Sequence, residues 1–168
     1  MRPVVFVDVD GPLNPFAATD DTRPAGYVEH RFRLSGWSRR RPLRLWLDPA
    51  HGAALLGLAE RTGAELVWAT TWEHKANTMV GPVLGLPRLP AVTFAEGPGW
   101  KFPGVSRYAH GRPLVWFDDD FDLYPGPRAE FLARRGDVAT LLVPVDPHTG
   151  LTGEVVAGAQ AWLGGLTG

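Results

Sequence analysis

The sequence predicts an α/β fold. An open parallel sheet of about five strands carries helices on both faces, giving three layers, and one β-hairpin stands apart. Three observations point to this. Short apolar runs at residues 4–7, 65–70 and 113–117 are too brief for helices and read as strands buried on both faces. Segments with helical signals alternate with these runs, as crossovers between parallel strands require. Each run ends in polar or acidic residues: Asp8 and Asp10, Thr70 and Thr71, Asp118 and Asp119.

Taken in order, the first run enters Asp8-Val9-Asp10-Gly11-Pro12, where Gly11 and Pro12 stop regular structure. Residues 14–26 hold turn formers and read as loop. In residues 27–34, Val28, His30, Phe32 and Leu34 share one face; Leu43, Leu45 and Leu47 alternate with Arg44 and Trp46. That pattern predicts a β-hairpin flap over 27–47, with one apolar face and Trp37 at its tip. Residues 23–44 hold seven Arg against one Glu. A solvated surface and an anion-attracting flap both fit this basic stretch.

Asp48-Pro49 starts a helix running to about Arg61, with Leu55, Leu56, Leu58 and Ala59 inward and Gly63 closing it. The strand over 65–70 is followed by a helix over 71–79. Residues 81–90 are broken by Gly and Pro, and 91–94 suggest a short strand. A Gly/Pro loop over 96–100 leads to Lys101 and a short helix over 105–110. The strand over 113–117 runs into Asp118-Asp119-Asp120. A helix over 127–135, a strand over 139–145 and a helix over 154–163, with Trp162 inward, complete a Rossmann-like architecture. Residues 1–168 read as one domain, without internal repeats.

Composition narrows the function. The net charge is -1, so no global field argues for nucleic acid or membrane. There is no cysteine, which excludes disulfides, thiol nucleophiles and Cys-zinc sites. No apolar run approaches the roughly 20 residues of a membrane span, and the short acidic start does not suit a signal peptide. A cytoplasmic location is the default expectation. The chain has fifteen Arg, two Lys, two Asn and no Ile. That bias marks GC-rich coding and weakens arguments from Arg abundance.

The chemistry concentrates at strand ends, which are neighbours in a parallel sheet. Two acidic clusters there call for a hard cation, foremost Mg²⁺. A lysine and a hydroxyl beside a cation suit a phosphate. An aspartate beside that phosphate can attack it, and a second can exchange protons.

These residues also carry a resemblance. Asp8-Val9-Asp10-Gly11-x-Leu13-Asn14, then Thr70, Lys101 and Asp118-Asp119, resemble in order the four motifs of haloacid dehalogenase (HAD) superfamily phosphatases. More narrowly, Trp-Ala-Thr-Thr-Trp-Glu-His and Gly-Arg-Pro-Leu-Val-Trp-Phe-Asp-Asp-Asp are similar to bacterial HAD domains associated with RNA-repair proteins. The resemblance implies a Mg²⁺-dependent phosphohydrolase with an aspartyl-phosphate at Asp8 and Asp10 as general acid and base. It also implies that Thr70 and Lys101, with Thr71 and Gly11, hold phosphate oxygens. Asp8, Asp10 (through its carbonyl), Asp118 and Asp119 would serve the metal. The implied substrate is a phosphorylated small molecule or a nucleic-acid end. The alternative is a nucleic-acid-binding accessory module of an RNA-repair system with weak or no phosphatase activity.

Plainer readings stand beside these. The opening motif lacks the distal Glu of an EF-hand loop. Thr70 and Glu73 have capping-box spacing, compatible with phosphate binding at a helix start. Trp72 and Trp37 read as packing or exposed loop, with base stacking as the sharper alternative. Asn14 and Asn77 read as turn residues, with substrate contact as the alternative, and Trp68 and Trp116 as core.

Overall fold

The computed structural model describes residues 1–33, 42–95 and 97–166. The expected hairpin tip, with Trp37 and the Arg39-Arg40-Arg41 run, lies outside the described residues.

Strand β1 (Val4–Val7) is fully buried because all four side chains are apolar and both sheet faces are covered. It pairs in parallel with β4 (Glu65–Trp68) on one side and β5 (Leu114–Asp118) on the other. Strand β6 (Thr140–Pro144) extends the sheet beyond β5, giving the order β4-β1-β5-β6. The short strand expected over 91–94 contracts to a single bridge between Ala91 and Trp68. The Phe94 N–H turns instead to the Glu73 carboxylate. Among the described residues the parallel sheet therefore has four strands.

Alternation along β1 divides the core into two layers. Val5 and Val7 pack in one cluster with Leu55 and Leu58 of α1 (Ala50–Thr62) and Val156 and Leu163 of α6 (Gly153–Gly165). Val4 and Phe6 pack in the other, with Val105 of α4 (Phe102–Ala109) and Phe131 of α5 (Pro125–Arg135). Helices thus cover both faces.

The hairpin forms from β2 (Val28–Phe32) and β3 (Leu43–Leu47), as a separate antiparallel pair. Its burial differs from the expected single apolar face. Leu45, Trp46 and Leu47 are all buried, whereas Val28 is 52% exposed. The cause is tertiary. Leu45 and Leu47 enter the core beside α1, while Trp46 joins Ala18 and Tyr27 in a small cluster of its own. The last three residues of β3 are thus buried on both faces, whereas β2 is exposed or partly buried along its length.

The helix expected over 71–79 is also interrupted. Residues Glu73–Lys75 form one 3-10 turn, followed by the short α2 (Ala76–Met79) and α3 (Gly81–Leu84). Glu73 has a φ of 47°, and its side chain is committed to Phe94 rather than to a capping box. Asn77 is fixed across the loop, bonding both the N–H and the carbonyl of Leu89 and accepting from the Trp68 indole.

Two glycines of α1 lead to opposite expectations. A Cβ on Gly52 would fall 1.6 Å from the Leu84 carbonyl oxygen, so α1 and α3 touch backbone to backbone. A Cβ on Gly57 would meet only the flexible guanidinium of Arg61. Gly52→Ala should lower stability by about 1–3 kcal/mol through overpacking. Gly57→Ala should raise it by about 0.5–1 kcal/mol through helix propensity. Urea unfolding of the two variants checks both signs.

Candidate active site

The sequence-selected residues converge at the C-terminal ends of the parallel strands. Asp8 follows β1 directly, and Asp118 closes β5 beside it. Both are nearly inaccessible because the apolar strand that delivers each is itself buried. Thr70, fully buried, follows β4 by two residues. Lys101 arrives at the N-terminal end of α4 and is 4% exposed.

Lys101 Nζ donates to Asp8 Oδ2 at 2.6 Å and to Asp118 Oδ2 at 2.7 Å. One ammonium therefore bridges the two strand-end carboxylates. Asp8 Oδ1 accepts the Val9 N–H at 2.7 Å, and Asp118 Oδ1 accepts the Asp120 N–H at 3.2 Å. The loop before Lys101 is braced by aromatic stacking. The Trp100 ring lies 4.8 Å from Tyr124 and 5.6 Å from Trp116, nearly parallel to both. This packing accompanies a φ of 51° at Trp100, unusual outside glycine. The ring also faces Lys101 Nζ at 4.8 Å, a cation–π contact.

Asp8, Asp118 and Asp119 each bring an oxygen within 4.8 Å of the others. Gly11 makes room for this. Its φ is 87°, and a Cβ there would sit 2.5 Å from the Asp119 carboxyl carbon. Its observed contribution is thus the close approach of two acidic loops. Asp10 lies apart from the cluster. Its Oδ2 accepts from the Trp72 indole, and its Oδ1 from the Asn14 amide, both at 2.9 Å. A cavity of about 330 Å³ opens onto Asp8, Asp10, Lys101, Asp119 and Thr71, with Phe16 and Trp100 at its walls. Thr71 is exposed there, whereas the Thr70 hydroxyl accepts from the Trp72 N–H at 3.3 Å.

Three clustered carboxylates and one ammonium leave an excess of negative charge. Burial raises Asp8 above the usual carboxylate range, opposed by Lys101 and Thr70. Asp118 is pushed up to about 8 by burial and then by the charge of Asp8. Asp119 rises to about 6 through burial and then through Asp120. Burial disfavours the Lys101 ammonium, but Asp8 and Asp118 outweigh it and hold its pKa above the ordinary value. An all-oxygen donor set with surplus negative charge fits a hard cation. The cluster could hold a metal through Asp8, Asp118 and Asp119.

Two partners escape a reading of the sequence. Trp72 and Asn14 resemble packing and turn residues there, yet both bind Asp10. Trp100 carries no motif, and only its place before Lys101 hints at its bracing role.

The raised acids set the sign of a pH effect. Between the unfolded value near 4 and about 8, Asp118 binds more protons folded than unfolded. Its contribution to stability therefore falls as pH rises through that window. In chelator, Tm should drop from pH 5 to pH 8.5, and Asp118→Asn should flatten the drop. A divalent cation should raise Tm more at pH 8.5 than at pH 5. Scanning fluorimetry reads all three.

A hypothetical protein from Xanthomonas campestris, known from its crystal structure, is similar with a TM-score of 0.45 and 13% identity, over 99% of this chain and 87% of that one. No curated protein matches the chain. Residues 4–156 match the family described as the HAD domain in Swiss Army Knife RNA repair proteins. That span runs from β1 into α6 and includes every residue of the cluster. The chain belongs to this family of HAD domains.

Proposed function

We propose that the protein is a Mg²⁺-dependent phosphohydrolase that works through an aspartyl-phosphate on Asp8. The observation that carries this reading is the buried Asp8–Lys101–Asp118 bridge, with Asp119 beside it and Asp10 outside the cluster. Mg²⁺ suits this oxygen set and, when bound, supplies positive charge that offsets the carboxylates and the incoming phosphate.

In the first step an Asp8 oxygen forms a bond to phosphorus, and the bond from phosphorus to the leaving-group oxygen breaks. Asp10 gives that oxygen a proton. In the second step a water forms the new bond to phosphorus and loses its proton to Asp10. The Asp8–phosphorus bond breaks, which releases inorganic phosphate and restores both carboxyl groups. Lys101 meets the phosphoryl oxygens as a charge-assisted donor. The exposed Thr71 hydroxyl and the buried Thr70 hydroxyl are the remaining candidates for phosphate contact, and Gly11 keeps the acidic loops close.

The proposed substrate is the phosphate of a nucleotide or of a nucleic-acid end. The family's association with RNA repair supports this class. So does Phe16, 54% exposed at a cavity that also holds Asp8 and Asp10, where a neighbouring base can stack. An accessory module would instead bind RNA in a salt-dependent manner without turnover.

Two measurements test the proposal. Asp8→Asn should abolish phosphate release from every ester while circular dichroism remains native. Undiminished release would exclude Asp8 as nucleophile. Phe16→Ala should raise KM for an oligonucleotide phosphate about fivefold or more, on the scale of a lost base stack, and leave glycerol phosphate nearly unaffected.

A further inference from the structure

Asp10 is held differently from the clustered carboxylates. Both of its oxygens accept from neutral donors: the Trp72 indole N–H at Oδ2 and the Asn14 side-chain amide at Oδ1. Trp72 follows β4 and Asn14 follows β1, so the two donors reach Asp10 from separate segments. A carboxylate with an oxygen fixed from each side cannot turn about its last torsion without breaking a bond. Each oxygen keeps a second lone pair, so the grip leaves a place for a proton.

The orientation of Asn14 is itself determined. Its Oδ1 accepts the backbone N–H of Trp46 at 3.0 Å, and a backbone N–H can only donate. The amide nitrogen must therefore face Asp10. Asn14 is 5% exposed and Trp46 is 3% exposed, so water competes little for these bonds. Through Asn14, the posture of Asp10 is tied to β3 of the hairpin. Neither Trp72 nor Asn14 lines the cavity that holds Asp8 and Lys101. The side-chain hydrogen bonds by which they reach the site both go to Asp10.

We propose that Trp72 and Asn14 are positioning residues that hold the Asp10 carboxyl group where it exchanges a proton with the leaving-group oxygen. The role rests on the phosphohydrolase reading above. It makes a demand that packing alone does not. Proton donation matters most for a basic leaving group and little for an acidic one.

The test compares kcat/KM, which reports events up to leaving-group expulsion, for an alkyl phosphate and for p-nitrophenyl phosphate. Trp72→Phe keeps an aromatic ring and removes the donor. It should lower kcat/KM for the alkyl ester by about 10- to 100-fold. The loss for the nitrophenyl ester should stay under about threefold. Asn14→Ala should show the same selectivity. Equal losses on the two esters, or no loss on either, would overturn the positioning role. A second readout needs no turnover. The Trp72 indole ¹H–¹⁵N resonance, assigned by its disappearance in Trp72→Phe, should move in Asp10→Ala. An unmoved resonance would overturn the contact itself. A wild-type protein inactive on both esters, with the resonance moving as expected, would retain the contact. It would overturn both the phosphohydrolase reading and the positioning role.

Discussion

A shortage of positive charge governs this molecule. Asp8, Asp118 and Asp119 bring carboxylate oxygens within 4.8 Å of one another, and Lys101 is the ammonium bonded among them. Burying even a well-paired ion costs several kcal/mol, and an unpaired one costs more. The arrangement is a poor way to stabilise a fold. It is a good way to hold a cation, which brings the charge that the site lacks.

The sheet order makes that concentration possible. The chain places β4 on one side of β1 and then β5 on the other, so connections diverge at β1. Ligands in open parallel sheets bind at such a switch point, beyond the carboxyl ends of the strands. Asp8 and Asp118 end adjacent strands there and need no loop of their own to meet. Lys101 does need one. The strained Trp100, clamped between Tyr124 and Trp116, supplies the rigidity that a loop lacks. Gly11 completes the fit by letting the Asp119 carboxylate rest against the backbone of the opening motif.

This logic explains what the sequence disclosed. Asp8, Thr70 and Asp118 were legible because each terminates or closely follows an apolar run whose length fixes where the strand ends. Lys101 was legible through its place in the motif order and the loop before a helix. The hairpin was half legible. Alternation identified its strands, but Trp46 is buried by Ala18 and Tyr27, outside the face that alternation selects. The break at Glu73 and the contacts of Trp72 were not legible. A side-chain bond between residues 10 and 72 leaves no period or local spacing in the chain. The same holds for Asn14 and Trp46, whose bond spans 32 positions.

The two aspartates of the opening motif stand two residues apart, yet the fold gives them different electrical surroundings. Asp8 is buried against an ammonium and shares that partner with Asp118. Asp10 is partly exposed, and both of its carboxylate oxygens accept from neutral N–H groups. The Lys101 ammonium favours the charged form of Asp8 and opposes the burial that disfavours it. Neutral donors fix the direction of a carboxyl group, and each oxygen keeps a second lone pair. The sharp turn at Gly11 and the distant Trp72 and Asn14 side chains create this difference. Two residues of one chemical type thereby gain the separate surroundings that the proposed division between nucleophile and proton carrier calls for.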